Sequence, residues 1–252
     1  LGLDQPLLAQ YWNYLSNLAQ GDFGRSYLQK TEVSTLIQSR IGPSLSLMFF
    51  AILIELIIGL SAGIYSAMRR GKISDNVVMV SSFIAISAPQ FIISIFVLYI
   101  FAVKLGWFPI GGYGKPIHYV LPALTLGILG SGWYSRVMRS SMIDVLRQDY
   151  IRTARAKGAP ISRIIRVHAF KNAVLPIIAM IGLDIGIFMG GIVVVESVFG
   201  WPGIGQLAWQ AIQRVDIPII MAVTLVSAIA IVIGNLIADL IAPFVDPRIR
   251  LK

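Results

Sequence analysis

Three stretches of this chain, residues 76–103, 116–135 and 217–238, run for a helix-span's length without a single Asp, Glu, Lys or Arg. About 20 consecutive apolar residues cross the hydrocarbon core of a bilayer as a helix, so each stretch reads as a span. Two further stretches qualify despite one internal acid each: 44–68 contains Glu55 and 173–196 contains Asp184. A carboxylate at mid-helix costs about 2.5–3.5 kcal/mol on insertion scales, which the apolar neighbours outweigh. Composition agrees, since 56% of the 252 residues are apolar and 13% charged. The expected fold is therefore all-α, a polytopic transmembrane helix bundle with five spans in this chain.

The basic residues give an orientation. Arg69, Arg70 and Lys72 lie in the loop at 69–75. Arg136, Arg139, Arg147, Arg152, Arg155, Lys157, Arg163, Arg166 and Lys171 lie in the loop at 136–171, and Arg248, Arg250 and Lys252 in the tail. The alternate loops hold only Lys104, Lys115 and Arg214. The positive-inside rule places the first group in the cytoplasm. The organisation that follows is an extracytoplasmic segment at 1–43, a transmembrane domain at 44–245 that includes the inner loop 136–171, and a cytoplasmic tail at 246–252. An exported segment of that length calls for a preceding span, so six spans are expected in the full protein. The net charge of +9 would suggest nucleic acid in a soluble protein. Topology already accounts for it, because fifteen of the 21 basic residues fall in the three inner segments.

Small residues and prolines mark where the spans meet or bend. Gly59 and Gly63 share one face of the first span, and Gly182, Gly186 and Gly190 one face of the fifth. Such faces serve close helix packing, or alternatively a narrow movable gate. Pro89, midway through 76–103, predicts a kink. Glu55, Asp184 and Asp239 lie within or at the edge of spans, where an ionisable group is either paired with another helix or faces a pathway. Glu196 stands at the outer end of its span. Trp201, Pro202, Gly203 and Gly205 form a stiff outer turn, read as an interfacial anchor or a docking element.

The inner loop is the most informative segment. From Met142 the spacing of Ile143, Leu146, Tyr150 and Ala154 predicts a helix with one apolar stripe. Gly158 and Pro160 stop it, and a second helix follows from about Ser162, whose hydroxyl could cap it. Charge alone leaves three readings open: a solvated loop, a surface for anionic lipid, and a docking element for a soluble partner.

The run YIRTARAKG, residues 150–158, resembles the EAA signature of ABC importer membrane subunits, in which Glu, Ala, Ala and three further residues precede a Gly. Arg152, Thr153 and Ala154 occupy the leading positions here, and two of them depart from the general pattern. The departures, with His168 and Asn172 following, are similar to the dipeptide, oligopeptide and nickel branch of that family. LGLDQPLLAQYWNYLSNLAQGDFGRSY, GGIVVVESVFGWPGIGQL and DPRIR resemble further segments of it in the same order. The resemblance covers essentially the whole chain.

What the resemblance implies is a permease subunit of an ATP-driven, binding-protein-dependent peptide importer in the bacterial inner membrane. Its implied partners are a second homologous permease subunit, two cytoplasmic ATPase subunits, an extracytoplasmic peptide-binding protein and membrane lipid, with no nucleic acid. Arg152, Thr153, Ala154, Arg155, Ala156 and Gly158 are implied as the element that couples to an ATPase. Glu55, Asp184, Glu196, Gly186 and Gly190 are candidates for the pathway or gate. Glutathione or a nickel chelate is the alternative cargo within the family, and an ion-coupled secondary transporter relaying through the membrane acids is the alternative class. No phosphate-binding loop or HExxH pair occurs, so neither ATPase activity nor chemistry on the cargo is expected of the chain itself. Without Cys and with only His118 and His168, no metal or cofactor is expected either.

Overall fold

The computed structural model describes residues 6–245, and their side chains except at 189–191, 238 and 241–245. The expected tail, with Arg248, Arg250 and Lys252, lies outside the described residues. In hydrocarbon every backbone N–H and C=O must be satisfied within its own segment, which leaves helices as the economical solution for apolar runs like these. The described residues form α1 (Leu7–Ala19), α2 (Val33–Met68), α3 (Ile73–Ser87), α4 (Gln90–Lys104), α5 (Pro116–Leu146) and α6 (Asp149–Ala156). After these come α7 (Ile161–Ala173), α8 (Leu175–Gly191), α9 (Val193–Val198), α10 (Ile204–Arg214) and α11 (Ile217–Val245).

By length and apolarity, α2 and Ile217–Ile237 of α11 can each cross a membrane unbroken, and the bent pairs α3/α4 and α7/α8 qualify if each is one span. The remaining expected span corresponds to α5, about 46 Å long at 1.5 Å per residue. It falls short of the others in apolarity because its inward faces carry Thr125, Gly127, Ser131, Gly132 and Ser135, all buried against neighbouring helices. Phe49 and Ile57 of α2, Phe96 of α4 and Val232 of α11 are 59–67% exposed, an outward apolar surface that suits lipid.

Two expectations change. The stretch 76–103 is not one kinked helix: α3 and α4 diverge by 102°. The ring of Pro89 drives Ala88 out of the helical region to φ −72°, ψ 127°, and Pro89 itself sits at ψ 128°, so two consecutive residues are extended and the helix restarts in a new direction. The first span also starts earlier than the charge pattern indicates. Residues 33–43 continue α2 upward, where Val33 and Ile37 are buried against Ile204, Leu207, Ile219 and Val223 of α10 and α11.

At the centre, α2 and α5 lie almost backbone to backbone. A Cβ on Gly59 would collide with the Tyr134 side chain, and one on Gly63 would stand 2.6 Å from the Ser135 carbonyl and 2.7 Å from Met138 Cβ. Gly186 does the same for α8, since a Cβ there would lie 2.5 Å from Ile231 of α11. Gly59, Gly63 and Gly186 thus stand at close helix contacts, while Gly190 falls among residues whose surroundings are not described. Gly63→Leu is expected to force α2 and α5 apart and to destabilise the subunit by about 1–3 kcal/mol or more. Exposed Ser61→Leu should be neutral, and thermal unfolding of the two variants in detergent, side by side, checks both; equal melting would contradict the close approach.

Candidate coupling elbow and membrane acid cluster

The end of α2, the start of α3 and the later part of α5 are tied together at Asp75. Asp75 is buried and accepts two hydrogen bonds from Arg139, Nε to Oδ1 and Nη2 to Oδ2, both 2.7 Å. It also accepts from Ser66 Oγ and, at 2.9 Å, from the Gly71 N–H. Every lone pair of that carboxylate facing the protein is therefore engaged, the condition under which a buried charge is tolerated.

Below this clamp α5 ends at Leu146, and Arg147 and Gln148 turn the chain into α6. The apolar stripe predicted to run through one helix from Ile143 to Ala154 is broken here, with Ile143 and Leu146 on α5 and Tyr150 and Ala154 on α6. The residue that secures α6 is Ile151, fully buried with Met138, Met142, Ile164, Ala169 and Ile177. Sequence reasoning passed over it. The signal was available, as Ile151 is the one large aliphatic side chain between Leu146 and Ile161. Asn172 adds a hydrogen bond from Nδ2 to Tyr150 Oη at 2.7 Å.

The other face of α6 is open. Arg152, Thr153, Arg155, Ala156 and Gly158 are exposed and Ala154 is half-buried. The Arg152–Asp149 pair at 3.6 Å is solvated on both sides and worth little. The helix closes as the glycine predicted: Gly158 adopts φ +78°, its N–H reaches the Arg155 carbonyl at 2.9 Å, and the Ala159 N–H reaches the Ala154 carbonyl at 3.1 Å. The predicted Ser162 cap is replaced by Pro160, which starts α7 without a side-chain hydrogen bond because its fixed φ of −64° already suits a helix start. Nothing lies within 4 Å of a Cβ built on Gly158, so the elbow presents bare backbone. Beside it Tyr150, Thr153, Lys157, Arg163 and His168 border a groove of about 500 Å³.

In mid-bundle the structure brings together two of the predicted acids. Glu55 of α2 and Asp184 of α8 interact through their carboxyl groups, and Tyr134 of α5 donates its hydroxyl to Asp184 Oδ2. Glu55 is enclosed because Gly130 of α5 leaves room for its carboxyl, where a Cβ would collide with Oε1. Glu55 Oε2 has no hydrogen-bond partner. Asp239 stands apart, exposed near the end of α11.

Glu196 belongs to a separate assembly at the end of the bundle away from α6. Fully buried, it accepts from Ser44 Oγ and from the Gln206 N–H, both at 2.8 Å, while Ser44 Oγ also accepts from the Ile204 N–H at 2.8 Å. Trp201 is fully buried rather than an interfacial anchor or an exposed docking residue: Nε1 donates to the Pro43 carbonyl at 3.0 Å and its ring packs edge-on to Tyr119 and Tyr113. Of the histidines, His118 accepts the Lys115 N–H at the start of α5, and His168 borders the groove beside Gly158.

A bundle of bent helices carrying a protruding helix, glycine turn and helix has a counterpart among known proteins. Residues 56–251 match the family described as "Binding-protein-dependent transport system inner membrane component". The chain belongs to that family. Similar curated proteins include the glutathione transport system permease protein GsiC of Escherichia coli (strain K12), 40% identical over 252 residues, which covers 100% of this chain and 82% of that protein. The oligopeptide transport system permease protein AppB of Bacillus subtilis (strain 168) is 42% identical over 260 residues, covering 99% and 82%. Among solved structures, an inward-facing MetNI methionine ABC transporter superposes with a TM-score of 0.71 at 18% identity, over 83% of this chain and 96% of that chain, a likeness of fold.

The Asp75–Arg139 clamp joins the ends of α2, α3 and α5 through a buried carboxylate. Arg139→Met would strand the Asp75 carboxylate in its buried site, and a loss of about 3–5 kcal/mol is expected. Pairing it with Asp75→Asn should recover most of that loss. A double-mutant cycle on unfolding checks this, and additive losses would show that the two side chains do not act as a pair.

Proposed function

We propose that this chain is one of the two membrane-spanning subunits of an ATP-driven importer that takes peptides delivered by an extracytoplasmic binding protein, and that it couples to a cytoplasmic ATPase through α6 and the Gly158 elbow. The observation that carries the reading is the end-to-end likeness, 40–42% identity, to permease proteins named for glutathione and for oligopeptides. Glutathione is itself a short peptide, so both names describe one kind of cargo, an amide backbone with free charged ends. A nickel chelate remains the second cargo class within the reading, and co-purified binding protein with its ligand identifies which one applies.

In this reading the basic loops face the cytoplasm, residues 1–43 face outside, and two ATPase subunits and a second homologous permease complete the machine. The sequence energises nothing itself, so hydrolysis belongs to the partners. The elbow suits a mechanical joint for physical reasons. Ile151 roots α6 in the same cluster as Met138 and Ile177 of the spans, so a push on its exposed face moves α5 and α8 rather than bending a loop. Bare backbone at Gly158 lets a partner surface approach closely, and Arg152 and Arg155 offer charges to acids on it.

The acid cluster supplies the pathway side of the proposal. A peptide entering the bundle brings an ammonium group whose charge must be met in a low-dielectric setting, and Asp184 with Glu55 offers the compensation. Glu196 braces the outer closure, tying α2 to α9 and α10, and Gly186 permits α11 to close against α8.

Two outcomes are expected in reconstituted vesicles holding the whole complex. Gly158→Leu, strained at positive φ and bulky at the elbow, should leave ATP hydrolysis running while uptake falls at least tenfold; Gly158→Asn, which tolerates that φ, should keep part of the uptake. Asp184→Asn should lower uptake severalfold with assembly intact. Uptake that persists without ATP would point to an ion gradient instead, and unchanged uptake in Gly158→Leu would remove the elbow from coupling.

A further inference from the structure

The helix α1 is built inside out for a helix on a water-exposed surface. At 100° per residue Leu7, Leu8, Tyr11, Trp12, Leu15 and Leu18 share one face, and Gln10, Asn13, Ser16 and Asn17 the opposite one. A helix packed on a soluble domain turns its apolar face inward. Here no residue of α1 is buried, and the first two turns of the apolar face point away, Leu7 being 83% exposed, Leu8 76%, Trp12 67% and Tyr11 58%, while Leu15 and Leu18 are half-buried. The polar face instead borders a cavity of about 490 Å³, closed on its far side by Arg25, Ile217, Pro218 and Met221.

The position of α1 is fixed by its surroundings. Asp216, immediately before α11, is buried and accepts from Ser26 Oγ and from the Tyr27 N–H at 3.3 Å, which pins the segment after α1 to the start of that span. Val33 and Ile37 then lock the top of α2 to α10 and α11. So α1 lies at the N-terminal ends of α2 and α11, the opposite end of the bundle from α6. It also carries no charge whatever: residues 5–21 contain no Asp, Glu, Lys or Arg. A helix presenting four large apolar side chains to water would be expected to interleave them with charges. One placed in a bilayer interface needs none, and Trp and Tyr are the residues that favour that level.

We infer that α1 is an interfacial helix, lying along the outer surface of the bilayer with Leu7, Leu8, Tyr11 and Trp12 set among the lipid chains and with its amide-bearing face lining a water-filled cavity beside α11. The occupant of the apolar face is lipid. With an uncharged polar face, α1 binds through apolar area and not through attraction to anionic headgroups, so its seating is independent of salt and of lipid charge. The inference rests on the membrane orientation proposed above.

The absence of cysteine makes the test direct. Single cysteines at Leu8, Trp12, Asn13 and Asn17, with one at Val232 of α11 as a reference, are spin-labelled in the complete importer in nanodiscs. Collision with oxygen, which concentrates in lipid, is compared with collision with a water-soluble nickel chelate. Leu8→Cys and Trp12→Cys should resemble Val232→Cys, with an oxygen-to-nickel ratio several-fold above that at Asn13→Cys and Asn17→Cys. Chelate access at positions 8 and 12 would place that face in water and overturn the inference. Protection from both reagents, or protection that appears only when the binding protein is added, would make it a protein contact and overturn it equally. Should Val232 itself report water, the membrane reading of the bundle fails, a result distinct from failure at α1 alone.

Discussion

The close approach of α2 and α5 governs what the rest of the bundle can do. Two helices whose backbones meet at Gly59 and Gly63 gain dispersion contacts along their length, which in a membrane replace the hydrophobic driving force that water would supply. The same approach sets up the chemistry at mid-bundle. With α5 against α2, Gly130 covers the Glu55 carboxyl and Tyr134 reaches across to Asp184, so polar groups of three helices meet at mid-bundle. A wider separation would leave those acids unpartnered in hydrocarbon.

From that centre the two ends of the bundle diverge in character. The end that carries α6 is a chain of linked parts: the Asp75–Arg139 clamp joins three helix ends, α5 runs on to Leu146, and Ile151 fastens α6 back onto the spans. The exposed face of α6 is left with nothing of its own to hold. The opposite end is knitted by buried polar groups, Glu196 with Ser44 and the α10 backbone, Trp201 with Pro43, and Asp216 with the 26–28 turn. The bends at Pro89 and near Val174 are the places where the helices depart from straight.

Much of this was legible in the sequence because the membrane imposes one-dimensional rules. Charge-free runs located the helices, and the glycine and proline of 158–160 marked the turn after α6 to within a residue or two. What escaped was whatever depends on neighbours in three dimensions. Nothing in periodicity distinguishes Ile151 as the anchor from Tyr150 as an exposed residue, because the break between α5 and α6 shifts the face that is buried. Trp201 looked interfacial since tryptophan favours that level, yet Tyr113, Tyr119 and the Pro43 carbonyl enclose it. Glu55 and Asp184 were each visible as anomalies, but their being one site rested on the α2–α5–α8 packing.

The central claim is mechanical: the face of α6 that the bundle leaves bare is the seat of an ATPase subunit. Ala156, exposed and on a chain without cysteine, is the most direct reporter. With Ala156→Cys in the assembled complex, a short bifunctional reagent should join this chain to the ATPase in high yield, with the yield changing between nucleotide-free and ATP-bound states. A complex that assembles and transports normally yet gives no such product, from Ala156 or from any exposed position on α6, would contradict the account.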